Sequence, residues 1–409
     1  MANLTMQLLG AVAQPTGVWE TLIMAFHNGI PNYAWAIIVF TIVIKLVMLP
    51  FDLLNKYVTA KNTRVQKIIQ PELDKIQKQY GNNKQVLNQK TMELYKKHNY
   101  NVTGSCLVML FNMALTLFIF ITLFNGLNSM ASYKVQYQYE EIQKSYYSTV
   151  TEYQDKETVL EEMYKKYYIS AINDNKTAEE AATYAKEQTK AELELLNSET
   201  TNTNALNRYN EVKESWLWID NIWKPDTPWT NSVASFDEYS NSAKATFKDY
   251  TFALSTEENA PTATLSANDL KELAKVEYNQ IMDPIRESAG RENGYLIVVI
   301  LAAGLNVLSI LATQGKLKFK KKTKPTTLEE AEPKQKKSSG ILMLILLPAL
   351  MIYITMSYNA VFGLYILVSS LVGTATTPLI NWLVGLIEKR KENKKKAKEV
   401  VVSYSRKKK

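Results

Sequence analysis

The sequence has few of the residues from which enzymatic and metal sites are built. Its 409 residues include one cysteine, Cys106, and two histidines, His27 and His98. A single cysteine excludes an intramolecular disulfide, and two histidines so far apart disfavour a histidine-based triad or a His-rich metal site. A glycine-rich phosphate loop and metal-spaced clusters of Cys and His are also absent from the sequence. The sequence therefore predicts a protein that is not an enzyme and needs no cofactor and no metal.

Residues 1–44 contain no lysine and no arginine, and Lys45 is the first of either in the sequence. The N-terminus thus lacks the basic region of a secretory signal peptide. Residues 17–30 instead carry apolar residues at helical spacing, and Pro31 and Asn32 separate them from the next apolar run. This pattern predicts an amphipathic helix in the membrane interface, with Trp19 as its anchor. A partly cleaved leader is the alternative interpretation.

Apolar residues are concentrated in five long blocks, although the mean hydropathy of the chain is only −0.20. Each block holds about 18 or more mostly apolar residues, enough for a helix across about 30 Å of hydrocarbon. Five such blocks in one chain disfavour the alternative of buried helices in a soluble protein. The predicted fold is all-α: a polytopic membrane protein with a five-helix transmembrane core, a cytoplasmic helical hairpin and a helical extracytoplasmic insert.

The segments between the blocks alternate in charge. Residues 56–104 carry a net charge of +7, residues 129–292 carry −12 and residues 389–409 carry +9. Cytoplasmic loops carry the excess of Lys and Arg, so the N-terminus is expected outside and the C-terminus in the cytoplasm. The predicted segments are an outer N-terminus (1–32), TM1 (33–54), the cytoplasmic hairpin (55–104), TM2 (105–128), the outer insert (129–292), TM3 (293–315), a basic cytoplasmic loop (316–339), TM4 (340–358), TM5 (361–387) and a basic cytoplasmic tail (388–409).

The segments outside the blocks have patterns of their own. Two helical arms are predicted to meet at Gly81 in the hairpin, with Pro71 kinking or restarting the first arm. The basic loop and tail are predicted to be solvated, disordered segments that bind anionic lipid or RNA.

The insert is predicted to contain long helices over 133–168 and 177–213. Because these helices lack a broad apolar face, we expect an extended hairpin with a seam of tyrosines rather than a thick core. Residues 254–268 are predicted to be a linker, and a helix over 268–290 is predicted to lead into the third span.

A lysine stands in the middle of the first predicted span. A charge at that depth costs roughly 2.5–3.5 kcal/mol and usually faces a bundle interior or a watery cavity. The spans contain no acid that can pair with Lys45, since Asp52 is seven residues away at the edge of the first span. We therefore predict a hydrophilic pocket open to the cytoplasm, walled by Lys45, Asn112 and the polar residues Ser370 and Thr374 of the fifth span. Alternatively, Lys45 snorkels to one interface, and the fifth-span hydroxyls bond to their own helix backbone.

The hairpin sequence carries a resemblance to a known family. The run Ile69-Gln-Pro71-Glu72-Leu-Asp-Lys-Ile-Gln-Lys-Gln-Tyr80-Gly81, followed by Met92-Glu-Leu-Tyr95-Lys96, closely resembles the YidC/Oxa-type membrane protein insertases. The stretch around Lys45 resembles their first core span, and Gly363-Leu-Tyr365 resembles the start of their last span. The resemblance implies functional roles for Pro71, Glu72, Tyr80, Gly81 and Tyr95 in the hairpin, and for Tyr365 in the pocket.

The sequence also departs from that family. The family usually has arginine at the position of Lys45 and glutamine at that of Asn112, and the insert is much larger than in Gram-positive-type members. A divergent paralogue or a specialised clade is therefore expected.

The resemblance implies a function without bond chemistry. Nascent membrane proteins would be received by the mobile hairpin, drawn into the pocket by Lys45 and released sideways into lipid. The implied protein works as a monomer in the plasma membrane of a Gram-positive bacterium, alone or with the Sec translocon. The implied partners are the lipid bilayer and, through the basic segments, the ribosome and the signal recognition particle.

Two other functions stay open on the sequence alone. A transporter or channel could use Lys45 as an anion site, although five unrepeated spans disfavour it. An envelope assembly factor could act through its outer insert, which predicts that Lys45 is dispensable.

Overall fold

Helices make up most of the described residues in the computed structural model of the chain. The structure describes residues 14–98, 100, 102–154, 156, 159–243, 247–257, 260–313 and 337–407. Within these ranges the helices are α1 (Val18–Gly29), α2 (Tyr33–Tyr80), α3 (Lys84–Lys97), α4 (Val102–Tyr147), α5 (Val159–Asn173), α6 (Ala178–Leu196), α7 (Glu199–Val212), α8 (Phe236–Ala243), α9 (Ala267–Ser288), α10 (Ile297–Thr313), α11 (Lys337–Ser357) and α12 (Ala360–Lys407). Two short strands, β1 (Tyr250–Ala253) and β2 (Thr262–Leu265), complete the fold.

Among the described residues, three helices are long and apolar enough to cross a membrane, by length and composition. They are Tyr33–Tyr80, Cys106–Tyr147 and Ala360–Lys391, which coincide with the predicted first, second and fifth spans. In the predicted third and fourth spans, the residues whose side chains the structure describes form apolar helical segments at Ile297–Leu308 and Pro348–Ser357, within α10 and α11. The prediction of an all-α polytopic membrane protein is confirmed.

The helix of the first span continues without interruption into the hairpin. α2 runs for 48 residues through both Pro50 and Pro71, so the predicted restart at Pro71 is wrong. A proline removes only one backbone donor, and helix-forming residues on both sides allow the helix to continue past it. The hairpin turns after Tyr80, as predicted, and the Asn83 side chain accepts a hydrogen bond from the Val86 N–H at 3.3 Å to cap α3.

The described chain falls into two compact units. The first unit comprises Met1–Ile37, Asn125–Leu301 and Ala349–Leu364. The second unit comprises Ile38–Phe124, Ala302–Pro348 and Tyr365–Lys409. The hydrophobic core of the insert lies in the first unit, whereas all ten residues predicted to form the pocket and the hairpin site lie in the second.

The insert has a thick core, contrary to the prediction of an extended hairpin. The predicted helix over 133–168 is divided between α4 and α5, and the one over 177–213 between α6 and α7. The shorter helices pack on one another and on α9, which places tyrosines on several elements in one cluster. The buried tyrosines of this cluster are Tyr139, Tyr146, Tyr147, Tyr153, Tyr164, Tyr168, Tyr209, Tyr239 and Tyr278. Tyrosine has a low hydropathy but buries a large ring, so an apolar-face criterion underestimates this core.

The predicted linker over 254–268 is also wrong, because it contains β2. β2 pairs antiparallel with β1, with Tyr250 opposite Leu265 and Ala253 opposite Thr262. Ala263 and Leu265 alternate with exposed threonines and are buried in the core of the insert, together with Phe252. The period of two in this short run is the signal for the strand. The helix predicted over 268–290 is present as α9.

The basic tail is helical rather than disordered through Lys407. α12 continues from the apolar segment into the Lys-rich sequence as one helix. Lys and Glu are good helix formers, and the tail contacts α2 within the second unit. Arg64 and Glu388 form an ion pair at 2.5 Å, and the Lys391 ammonium lies 4.5 Å from the centroid of the Tyr57 ring. Residues 316–336 of the predicted basic loop over 316–339 lie outside the described residues.

Candidate functional site

Lys45 lies in the middle of the apolar part of α2 and is half-buried. Within the described part of the chain its ammonium makes no salt bridge and no hydrogen bond. Asp52, about two turns further along the same helix, acts on it electrostatically without forming an ion pair. Lys45 therefore lies in an apolar segment without a bonded counter-ion.

Like Lys45 on α2, Asn112 on α4 has a side-chain polar group without a partner among the described residues. Its side-chain oxygen Oδ1 is buried and has no hydrogen-bond partner among the described residues. The backbone carbonyl of Asn112 accepts a hydrogen bond from the Thr116 hydroxyl at 2.8 Å, so the backbone is satisfied while the amide oxygen is not. An unsatisfied buried polar group costs about 1–3 kcal/mol, which makes Asn112 an unfavourable choice if packing alone were its role.

On α12, the predicted pocket residues differ in their surroundings. Tyr365 is buried, and Ser370 and Thr374 are half-buried. The Thr374 hydroxyl donates to the Ser370 carbonyl at 2.8 Å, and Thr376 and Thr377 make equivalent bonds to carbonyls four residues earlier. These hydroxyl protons are therefore used by the helix itself, as the alternative interpretation predicted. Each hydroxyl oxygen can still accept a hydrogen bond.

The five predicted pocket residues, on α2, α4 and α12, all belong to the second unit. In the described structure no hydrogen bond joins Lys45, Asn112 and Thr374 to one another. What they share is their placement in otherwise apolar helices of one unit.

The hairpin site is held by contacts between its two arms. Glu72 on α2 pairs with Lys97 on α3, with 3.3 Å between Oε2 and Nζ. Ile69 and Leu94 are buried. The Tyr95 ring packs edge-on against Tyr100 at a centroid distance of 5.0 Å. The hairpin thus has a narrow apolar seam and an exposed ion pair, which contributes little stability on its own.

The turn of the hairpin explains its glycine. A Cβ atom at Gly81 would lie 2.7 Å from the backbone oxygen of Gln77, too close for any larger residue without a backbone shift. Tyr80 is the last residue of α2, directly before this turn. Tyr80 and Gly81 therefore lie at the tip of the hairpin, and Pro71 lies nine residues before Tyr80 within α2.

A second set of residues emerged only from the structure. Asp226 accepts hydrogen bonds from the backbone N–H groups of Tyr295 and Val298 at the start of α10, at 3.0 and 2.8 Å. The backbone carbonyls of Lys224 and Ile222 accept from the N–H groups at the start of α12, at 2.8 and 3.1 Å. One loop of the first unit therefore satisfies the first backbone donors of two apolar helices. The sequence holds no local signal for this contact, since Asp226 and Val298 are 72 residues apart.

Lys134 makes the other unpredicted cluster. Its ammonium lies 4.1 Å from the centroid of the Tyr33 ring at the start of α2 and 2.8 Å from the Glu214 carboxylate. Burial raises the pKa of Glu214, and the Lys134 charge opposes that rise. Trp223 donates its indole N–H to Glu214 at 3.1 Å. This cluster joins the start of α2 to α4 and to the loop after α7 within the first unit.

Comparison with known proteins identifies relatives for part of the chain. Residues 25–154 match the model of a family described as 60Kd inner membrane protein. The chain is 41% identical over 96 residues to the membrane protein insertase YidC of Fusobacterium nucleatum, a stretch that is 24% of this chain and 45% of that protein. It is 44% identical over 82 residues to YidC of Clostridium tetani (20% and 36%) and 39% identical over 110 residues to YidC of Leptospira interrogans (27% and 16%). The resemblance to the YidC/Oxa-type insertases is confirmed.

The matched regions have definite limits. They span less than half the length of these curated relatives. No solved structure matches the chain. The family match includes Lys45, Asn112 and the whole hairpin, whereas Tyr365, Ser370 and Thr374 lie outside it.

Proposed function

We propose that this protein is a membrane protein insertase of the plasma membrane, and that it catalyses no bond chemistry. The observation that carries the proposal is Lys45, a lysine without a bonded counter-ion in an apolar helix within the segment that matches the insertase family. In our proposal a cytoplasm-open groove is walled by Lys45, Asn112, Tyr365, Ser370 and Thr374. Nascent membrane proteins are its substrates.

The groove works by shortening the apolar barrier. A polar tail that must cross about 30 Å of hydrocarbon loses its hydration over the whole distance. A water-containing groove keeps the tail hydrated for part of that distance, and the charge of Lys45 attracts an acidic tail. The apolar segment of the substrate then passes from the groove into lipid, since lipid is where its side chains are most stable.

Asn112 supports the same interpretation. Its buried Oδ1 is an acceptor without a partner in the described part of the protein, and a substrate backbone N–H or a water molecule would satisfy it. The oxygens of Thr374 and Ser370 would act in the same way on α12. The groove then offers mostly acceptors and one positive charge, which suits an extended polar peptide of variable sequence.

The cytoplasmic parts would bring the substrate to the groove. The hairpin, with Pro71, Glu72, Tyr80, Gly81 and Tyr95, would receive the nascent chain. The basic tail, helical through Lys407, would bind ribosomal RNA or the signal recognition particle, in a contact that salt weakens. We place the N-terminus outside and the C-terminus in the cytoplasm, and we propose a monomer that works alone or beside the Sec translocon.

The test is insertion of a single-span substrate with a short acidic outer tail into liposomes that contain the purified protein. Wild type would be compared with Lys45→Arg and Lys45→Gln at equal abundance. We expect wild type and Lys45→Arg to insert the substrate, and Lys45→Gln to lose most of the activity because the attraction and the hydrated groove depend on charge. Equal insertion by all three would exclude Lys45 as the working group.

A second candidate function is favoured by the size of the folded insert. Its core contains nine buried tyrosines and is distinct from the groove. An envelope assembly factor would act through this domain and would not need Lys45. If no variant, including wild type, inserts substrate above empty liposomes, this candidate replaces the insertase.

A further inference from the structure

An unusual turn lies between α7 and the Trp223–Asp226 loop. Trp216 and Ile219 bond to each other through both backbone N–H···O pairs, at 2.9 Å each, which closes a two-residue hairpin turn around Leu217 and Trp218. Leu217, the first central residue, has φ of +51°. Turns of this type usually place glycine there, because a side chain at positive φ is strained.

The strained residue is also apolar and exposed. The Leu217 side chain is 69% exposed, and Trp229, in the following loop of the same unit, is 64% exposed. An apolar side chain at the tip of a strained turn has no advantage in water, where glycine or asparagine would be less strained and more soluble. A backbone outlier of this kind points to a role for the residue that holds it.

The turn is joined to the start of a membrane helix. The Asn32 side chain caps α2 by accepting from the Ala34 N–H at 3.0 Å, and it donates to the Ser215 carbonyl at 3.2 Å. The Trp35 ring in the first turn of α2 packs edge-on against Trp216 at a centroid distance of 5.8 Å and remains 51% exposed. The base of the turn is therefore fixed beside the point where α2 begins its apolar run.

The charged residues next to the turn do not prevent it from entering an apolar medium. The charged residues on either side of the turn are paired inside the protein: Glu214 with Lys134 at 2.8 Å, and Asp220 with Lys213 at 3.2 Å. Burying the tip in an apolar medium would therefore not desolvate a free charge.

We propose that the Trp216–Ile219 turn is a membrane-inserting anchor, with Leu217 as its tip and the exposed Trp229 of the following loop as a second contact, and that its partner is the interfacial region of the lipid bilayer. Tryptophan rings are favoured at the boundary between headgroups and hydrocarbon, and an exposed leucine gains free energy below that boundary. The continuity with the start of α2 places the turn at the bilayer surface rather than at a distant protein-binding face. The anchor would hold the insert against the membrane next to the first span.

The test uses spin labels on the full chain in phospholipid vesicles. In a Cys106→Ser background, single cysteines replace Leu217, Trp229 or Leu195, and each is labelled with a nitroxide. Leu195, a leucine 83% exposed at the end of α6, is the matched control for an exposed leucine elsewhere in the insert. Collision rates of the label with oxygen, which concentrates in lipid, and with a water-soluble nickel chelate are measured for each site.

We expect the ratio of oxygen to nickel collisions to be several-fold higher at positions 217 and 229 than at 195. A water-like ratio at 217 and 229, equal to that at 195, would overturn the proposal. Labels at 217 that neither reagent reaches would also overturn it, because a protein partner would then cover the turn. Far-UV circular dichroism and gel filtration identify misfolded variants. If the 217 substitution misfolds, the label at 229 alone decides between these outcomes.

Discussion

At the scale of single residues, the insert contains carboxyl groups whose pKa is raised by burial more than it is lowered by their hydrogen bonds. Glu277 is buried among the tyrosines and accepts hydrogen bonds from the Tyr147 hydroxyl at 2.8 Å and from Gln143 at 3.0 Å, yet burial raises the pKa of Glu277. Burial also raises the pKa of Glu161 on α5 from 4.5 to about 7. Both groups bind a proton more tightly in the folded insert than in the unfolded chain, so proton binding and folding are linked there.

The insert is therefore predicted to lose stability as the pH rises from about 4.5 to about 7. In that range folded Glu161 keeps a proton that the unfolded chain has released, so the folded state binds more protons. The shift corresponds to about 3 kcal/mol at 1.36 kcal/mol per pKa unit. Denaturant unfolding of the full chain in detergent, measured from pH 4.5 to 8, should show this slope, and Glu161→Gln should remove much of it. The exposed Glu179→Gln should leave it unchanged; an unaltered slope in Glu161→Gln would contradict the assignment.

The residues of the candidate site differ in whether the sequence alone could identify them. Lys45 was identifiable because a charge in an apolar run is rare, whatever surrounds it. The unsatisfied oxygen of Asn112 was not identifiable, since it depends on what α4 packs against. The bonds of Thr374, Thr376 and Thr377 to their own helix were predictable as an alternative, because short hydroxyl side chains commonly reach the carbonyl four residues earlier.

At the scale of elements, the starts of the apolar helices depend on one loop. The first N–H groups of a helix have no partner inside it. Asp226 satisfies one of these donors on α10, the Val298 N–H, and also accepts from the Tyr295 N–H just before that helix. Carbonyls of the same loop satisfy two donors on α12. A Cβ atom at Gly294 would lie 1.9 Å from the Asp226 carboxylate, so glycine there is required by this cap.

Asp226→Ala is predicted to lower the stability of the protein by about 2 kcal/mol, because it leaves the buried Val298 N–H and the part-buried Tyr295 N–H without their acceptor. Asp226→Asn should cost less, since its amide oxygen can still accept. Thermal unfolding in detergent would measure both variants. Asp237→Ala, on the exposed side of α8, is the matched control, and equal melting temperatures for Asp226→Ala and Asp237→Ala would show that the cap does not support the fold.

The elements themselves were predictable to different degrees. Three of the five predicted apolar helices and the hairpin turn at Gly81 follow from local patterns and are present in the described structure. The break of the insert into shorter helices was not, because it depends on tyrosines from distant parts of the sequence meeting in one core. β2 was missed for a similar reason: four residues are too few for a strong period, and pairing with β1 supplies the rest of its stability.

At the scale of the whole molecule, the charges of the sequence predict how the chain is oriented. The insert carries a net charge of −12, whereas the hairpin and the tail are strongly basic. The excess of Lys and Arg on the cytoplasmic side favours a hairpin inside the cell and an insert outside it.

Cysteine labelling in intact cells would test that orientation. In a Cys106→Ser background, a cysteine in place of Leu195 on α6 should react with a membrane-impermeant maleimide in intact cells. A cysteine in place of Met92, which is exposed on α3, should react only after permeabilisation. Leu195 and Met92 are both solvent-exposed and similar in size, so the maleimide can reach a cysteine at either position. The reverse pattern would invert the proposed topology and place the groove on the wrong side for nascent chains.

The tyrosine core has a consequence for how the chain is sorted between water and lipid. A segment partitions into a bilayer according to the hydropathy of about 20 consecutive residues. α5 buries Val159, Leu160, Met163, Tyr164 and Tyr168, yet its sequence is interspersed with Glu and Lys and contains no long apolar window. The insert thereby obtains a dense interior from residues that, read in linear order, remain hydrophilic. Such a segment is released into water, whereas the apolar segments on both sides of it are retained in the bilayer. The chain can therefore hold a folded aqueous domain between spans, because no stretch of that domain is apolar enough to be retained in the membrane itself.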